Sequence, residues 1–222
     1  GWYHMIPKQW RELAPAYGLH ASLLPDYSGG APLVWAMIMG ESKTGITLFQ
    51  MDDGVDSGPI AGQKEVPISN LDTIATLYSR VEECTIELLE EVLPEIAKGS
   101  VKLIIQDNSK RRLFPQRSPK DGLIDWNQDA IFVDRFVRAQ TRPYPGAFSR
   151  LHGKELHIWS TEVSDLHPTA EVGQVVRCTG DSYLIGCKVG SVLLKEVSFN
   201  GVSYSKNNID KIFGDGNQQF LY

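Results

Sequence analysis

The chain has 222 residues, 42% of them hydrophobic, which is enough to bury one large or two small cores. A net charge of −5 at pH 7 gives no global field that draws a phosphate backbone, so a nucleic-acid partner needs a local basic patch. Three cysteines, Cys84, Cys178 and Cys187, are odd in number and irregular in spacing, which excludes a disulfide framework and a zinc site and points to the cytoplasm.

Residues 7–13 read as a short helix with Pro7 in its first turn, and 17–21 as a short buried strand. A turn is expected at Pro25 to Gly30. The nearly all-apolar run 31–39, ending at Gly40, favours a buried helix. Residues 44–51 and 62–68 are strand-like. From Leu71 to Lys98 apolar residues recur at three- and four-residue steps (Ile74, Leu77, Val81, Leu88, Val92, Ile96), and Ser69 with Asp72 resembles a capping box. The proline-interrupted stretch 101–126 reads as a linker, with the basic cluster Lys110, Arg111, Arg112, Arg117 and Lys120 as a solvated charge run. A helix over 129–139 follows. Short β-prone runs at 147–151, 156–163, 174–178, 183–188 and 192–199 then suggest a small barrel or open sheet.

No apolar run reaches the length of a membrane span, and the first residues lack the basic and apolar regions of a secretion signal. Gly40-Glu-Ser-Lys-Thr-Gly45 lacks the Gly-Lys-Ser/Thr order of a phosphate loop and reads as a helix-to-strand turn. No histidine, cysteine and carboxylate set has metal-ligand spacing, so no metal is expected. His152, His157 and His167 read as surface or packing residues.

The informative pair is His20, ahead of a turn, and Asp56, on a glycine-flanked loop after the next strand. Acyl transfer to an amine passes through an oxyanion and releases a proton, so it needs a donor at that oxygen and a base. A histidine with a carboxylate supplies both. Taken singly, each residue is an ordinary strand histidine or turn aspartate.

The intervening pattern adds a resemblance. His20-Ala-Ser-Leu-Leu-Pro25, Gly29-Gly-Ala-Pro32, Thr44-Gly-Ile-Thr47 and the run Met51 to Gly58 are similar to the signature of formyltransferases that use 10-formyltetrahydrofolate. Arg117-Ser-Pro-Lys-Asp-Gly-Leu-Ile-Asp-Trp126 and the segment Arg138 to Ala147 look like the link into the C-terminal domain of methionyl-tRNA and UDP-4-amino-arabinose formyltransferases. The resemblance implies an α/β fold, the C-terminal half of a doubly wound Rossmann-like domain over 1–104. A linker over 105–127 and a small β-rich, OB-like domain over 128–222 would follow.

It further implies His20 and Asp56 as catalytic residues, with Tyr3, Met5, Ile6, Leu24, Asp53, Gly54 and Val55 around the folate. His4 would sit in the same pterin loop. Leu24-Pro25 would be the family's cis-proline turn. The cosubstrate is 10-formyltetrahydrofolate, without a metal, and the acceptor an amine such as an amino sugar nucleotide; acidic charge and Ser28, where the family places arginine, disfavour tRNA. Gly18 stands where the family has its catalytic asparagine, and the βαβ-rich first half is not in this sequence. The expectation is therefore a fragment, with hydrolysis of the donor or an inactive folate-binding protein as alternatives.

Overall fold

The computed structural model describes residues 5–164, 170–178, 182–214 and 218–219. His167 lies outside them. Two compact units are present, one of residues 1–72 and 76–117, the other of 73–75 and 118–222.

In the first unit Pro7, at φ −55°, precedes a one-turn helix, α1 (Lys8–Arg11), and the first strand, β1 (Tyr17–His20), follows. Strand alternation buries Gly18 and His20 on one face of β1 and exposes Leu19 on the other. Next come a two-residue strand, β2 (Ser28–Gly29), and α2 (Pro32–Met39), which opens on proline and stops at Gly40 in the left-handed conformation. The helix-to-strand turn expected over 40–45 occupies 40–42, and 43–45 already belong to the next strand. Strand β3 (Lys43–Gln50) is buried from Thr44 to Phe49, because β1 flanks it on one side and β4 (Ile60–Pro67) on the other.

All three strands pair antiparallel, with His20 opposite Thr47 and Gly18 opposite Phe49. The parallel pairing of a doubly wound layer is not what these strands make. The loop 51–59 returns β4 beside β3 as a wide hairpin, and a hairpin needs no crossover. Among the described strands of this unit, β2 pairs in parallel with β5 (Leu113–Phe114). The segment expected as a linker therefore supplies a strand to the first unit, and the units divide at Arg117/Ser118.

The long helix, α3 (Ile74–Lys98), buries Leu77, Val81 and Leu88 and leaves Tyr78, Ile86 and Leu93 exposed. Gly62 of β4 permits the approach, since a Cβ there would lie 2.8 Å from Val92 Cγ2 and 2.9 Å from Leu88 Cδ1. Asp72 stands ahead of the helix as the capping-box reading expects: its Oδ2 accepts from the Ser69 amide at 2.6 Å and its Oδ1 from the Thr76 hydroxyl at 2.8 Å. Arg80 then grips both carboxylate oxygens, at 2.8 and 2.5 Å.

The second unit is an antiparallel sheet. Strands β6 (Ala147–Leu151), β7 (Lys154–Ser164), β8 (Gln174–Arg177), β9 (Tyr183–Gly186), β10 (Ser191–Phe199), β11 (Val202–Ser205) and β12 (Gln218–Gln219) run in the order β12-β8-β9-β10-β7-β6, with β11 also on β10. Helix α4 (Ala130–Arg138) lies against the sheet and buries Val133 and Val137; α5 (Asp210–Phe213) contributes Phe213. Ile124 and Trp126 are core residues here, and the Trp126 indole N–H reaches Ser149 Oγ at 3.1 Å, so the second end of the expected linker is packed as well. His152 occupies a turn between β6 and β7, while His157 stacks on Trp159 with centroids 5.7 Å apart. No helix among the described residues is long and apolar enough to cross a membrane.

Bonding to Arg80 above all holds the Asp72 carboxyl down at about 2. A depressed carboxylate stabilises the fold above its unfolded value of about 3.9 and loses that contribution as pH falls through the folded value. Urea unfolding from pH 7 to 2 is therefore expected to show stability falling between about pH 4 and 2. Asp72→Asn should cost about 1–3 kcal/mol at pH 7 and remove that part of the acid dependence.

Candidate active site

β1 carries His20 at its end, on the buried face it shares with Gly18. The imidazole Nε2 lies 2.8 Å from the Tyr27 carbonyl oxygen. A carbonyl only accepts, so Nε2 bears a proton and donates it. The other ring nitrogen, Nδ1, is 3.5 Å from Asp56 Oδ2. That gap is wider than an ordinary hydrogen bond: the groups form an ion pair when Nδ1 is protonated and two spaced acceptors when it is not. The same Oδ2 accepts the Gly29 amide at 2.8 Å. Sequence reasoning singled out His20 and Asp56, and the fold brings them together.

The geometry rests on the turn between them. Tyr27 takes φ +55° and Asp56 φ +49°, left-handed backbone that costs an L-residue about 1–2 kcal/mol. The turn holds a cis Leu24-Pro25 bond, and is closed by the Ser22 hydroxyl on the Asp26 carbonyl at 2.7 Å and the Ser28 hydroxyl on the Pro25 carbonyl at 2.8 Å. Ser28 is thus fully buried in the turn, with no charge to offer a ligand. Thr47 of β3 donates to the Ser22 carbonyl at 2.6 Å and accepts from Gln63 Nε2 at 2.8 Å.

A strap from the far end of the unit clamps this assembly. Phe114 stacks on Tyr27, with centroids 4.6 Å apart and planes 8° from parallel. Arg112 lies over the Tyr27 ring at 4.6 Å, grips Asp26 with two bonds of 2.6 Å and reaches Glu41 at 3.0 Å. The Tyr27 hydroxyl donates to Glu41 at 2.6 Å; burial first, and then this bond, push its pKa up, while the same bond and Arg112 pull Glu41 down. Arg111 donates to the Val55 carbonyl, Arg117 lies over Trp35 at 4.7 Å, and Gln106 reaches the carbonyls of Asp56 and Gly58. Arg111, Arg112 and Arg117 of the basic cluster therefore have partners within the unit, although Arg112 stays 46% exposed, and Lys110 and Lys120 are exposed as a solvated run would be. Their clustering was visible in sequence; nothing in it showed which carbonyls and rings they meet. Gln106 gave no signal at all.

Of the residues expected around the folate, Tyr3 lies outside the described residues, as does His4. Met5 is 52% exposed and Val55 45%, so both present apolar surface. Arg11 bonds the Ile6 carbonyl at 3.0 Å and pairs with Asp53, which ties the expected pterin loop to the 52–58 loop. Gly54 donates to Asp52 Oδ1 at 2.9 Å. Leu24 differs: its side chain packs with Phe49 and Ile60, its amide donates to Thr47 Oγ1 at 3.2 Å and its carbonyl accepts Gln63 Nε2 at 2.7 Å. It belongs to the floor of the turn. No group of three histidines, cysteines or carboxylates among the described residues could hold a metal ion.

Residues 1–93 match the family model described as formyl transferase, and residues 117–206 the one described as formyl transferase, C-terminal domain. The chain belongs to the formyltransferase family. Among solved structures, HypX from Aquifex aeolicus in complex with tetrahydrofolic acid is similar with a TM-score of 0.72 at 21% identity, over 100% of this chain and 41% of that one. This formyltransferase-family chain thus spans about two fifths of HypX's length. Methionyl-tRNA formyltransferase from Clostridium thermocellum gives a TM-score of 0.63 at 22% identity, covering 75% of this chain and 71% of that one. The N-formyltransferase from Helicobacter canadensis, in complex with folinic acid and dTDP-3-aminofucose, gives 0.63 at 19%, covering 82% and 66%. At these identities the likeness is one of fold.

Gly18, where the resemblance places asparagine, is filled from a neighbour: a Cβ there would meet the Met51 methyl at 2.6 Å and the Phe49 ring at 3.2 Å. Gly18→Asn is expected to overpack this pocket and cost about 1–3 kcal/mol, and Met51→Ala in the same chain to recover most of it, read by thermal unfolding.

Proposed function

We propose that this chain carries the formyl-transfer site of a folate-dependent enzyme, which moves a formyl group from 10-formyltetrahydrofolate to a primary amine. One observation carries the reading: His20 has Nε2 committed to the Tyr27 carbonyl and Nδ1 turned to an aspartate that a backbone amide holds in place. A single proton added at Nδ1 turns the ring into a donor on that side. Asp56, when ionised, accepts the proton that the acceptor nitrogen gives up, and the 3.5 Å gap leaves the two groups free to face reacting atoms.

The folate, when bound, supplies the formyl carbon. Met5, Ile6 and Val55 would wall its heterocycle, with the backbone of Asp53 and Gly54 beside it and Tyr3 completing the loop; Leu24 contributes packing beneath. The complexes of HypX with tetrahydrofolic acid and of the Helicobacter enzyme with folinic acid support the donor. For the acceptor, engagement of Arg111, Arg112 and Arg117 within the unit, together with a net charge of −5, favours an amino sugar nucleotide over tRNA. A cytoplasmic setting and an OB-like second unit complete the reading.

The test is incubation of the chain with 10-formyltetrahydrofolate and a panel of dTDP- and UDP-amino sugars and methionyl-tRNA, following tetrahydrofolate release. Turnover with an amino sugar nucleotide is expected, and His20→Ala or Asp56→Ala should each lower it by about 10²–10⁴. Donor consumption no faster than in buffer, with every acceptor, would sink the proposal. Formate release without any amine would make water the acceptor.

A further inference from the structure

Asp56 reaches His20 only because its backbone turns left-handed between Val55 and Ser57, and the three carbonyls of this corner are taken by two side chains from the strap. We propose that Gln106 is a positioning residue for Asp56, acting on its backbone and through it on the His20 pair; its kinetic role rests on the function proposed above.

The register puts Gln106 there. Ile60 and Ile104 exchange both backbone hydrogen bonds, each 2.8 Å, as an antiparallel bridge. Two residues outward on each chain, Gln106 falls level with Gly58. Its Nε2 donates to the Gly58 carbonyl at 2.6 Å and to the Asp56 carbonyl at 2.9 Å, so both amide protons are spent on the residues that flank the catalytic bend. Arg111 takes the Val55 carbonyl on the other side.

The burial of Gln106 argues against mere space filling. The residue is 7% exposed, and its Oε1 is buried without a hydrogen-bond partner. An orphaned buried acceptor destabilises, and a leucine would fill the same volume without it. What a leucine lacks is the pair of neutral donors. A glutamate fails too, because its carboxylate would face two carbonyl oxygens; only its protonated form donates, and then a single bond.

The consequence reaches the site through a chain of contacts. Gln106 fixes the Asp56 carbonyl, the left-handed backbone fixes the carboxylate, and Oδ2 meets the Gly29 amide at 2.8 Å and His20 Nδ1 at 3.5 Å. The Gly29 amide therefore reports the position of Asp56 without any turnover.

Hydrogen exchange and kinetics on Gln106→Leu and Gln106→Glu test the assignment. In Gln106→Leu the Gly29 amide should exchange about 10-fold faster, as it does in Asp56→Ala, while the amide of Leu48 in β3 keeps its protection. Donor turnover should fall about 10-fold or more in kcat with KM for the folate within about twofold, since misplacement of a reacting group acts on the chemical step. Gln106→Glu should recover both readouts as pH is lowered. In an Asp56→Asn background, Gln106→Leu should add less than about twofold, because its effect runs through Asp56. Unchanged Gly29 exchange in Gln106→Leu, or a full additional loss of rate in the Asp56→Asn background, overturns the assignment. A wild-type chain that consumes no donor overturns the functional reading instead, and Gly29 exchange then still decides whether Gln106 positions Asp56.

Discussion

The site depends on one carbonyl. Tyr27 O has lone pairs and no proton, so it dictates which nitrogen of His20 is protonated and leaves the other facing Asp56. That carbonyl stands where it does because Tyr27 is left-handed, an uncommon state for a bulky residue that survives only when its surroundings enforce it. Enforcement comes from two residues further along the chain, Phe114 stacked on its ring and Glu41 on its hydroxyl, with Arg112 beside both. An aromatic and cationic stack far along the chain thus selects a histidine tautomer.

Asp56 repeats the arrangement with different chemistry. Its left-handed bend is held by hydrogen bonds to its carbonyl neighbours, where Tyr27 is held by ring stacking. Both strained residues lie at the His20–Asp56 pair, and both are secured by residues 106–114. Rigid sheet beneath and a clamp above give two short turns the fixity that loops otherwise lack.

Much of the scaffold was legible in the sequence, for reasons that can be named. The helix over 74–98 announces itself by a three- and four-residue apolar step that Leu77, Val81 and Leu88 spend on the core. The strands β3, β6 and β10 were visible because branched and aromatic residues run between turn formers. What escaped was whatever depends on distant partners: the two-residue strands β2 and β5 have no periodicity to detect, and the short β11 and α5 fall below the length at which a pattern shows. Direction of pairing escaped as well, since strand patterns look alike whichever way the neighbour runs. For the site, motif spacing pointed to His20 and Asp56, whereas Gln106, Arg111 and Arg112 sit in a stretch whose prolines and charges suggest a tether. Its residues are polar because they bind carbonyls and carboxylates, and sequence cannot tell such polarity from exposure to solvent.

The pairing of β2 with β5 also bears on how the site comes into being. Arg112 and Asp26 are 86 residues apart, and the contacts around them close nearly the whole first unit into a loop. Closing so long a loop costs more chain entropy than forming the β3–β4 hairpin or α3, whose contacts are local. The order this favours has the sheet and helix assembled first and the His20 turn set last, when the strap arrives. The geometry of the His20–Asp56 pair would then be the final increment of folding, absent from any partly folded form that already has its core.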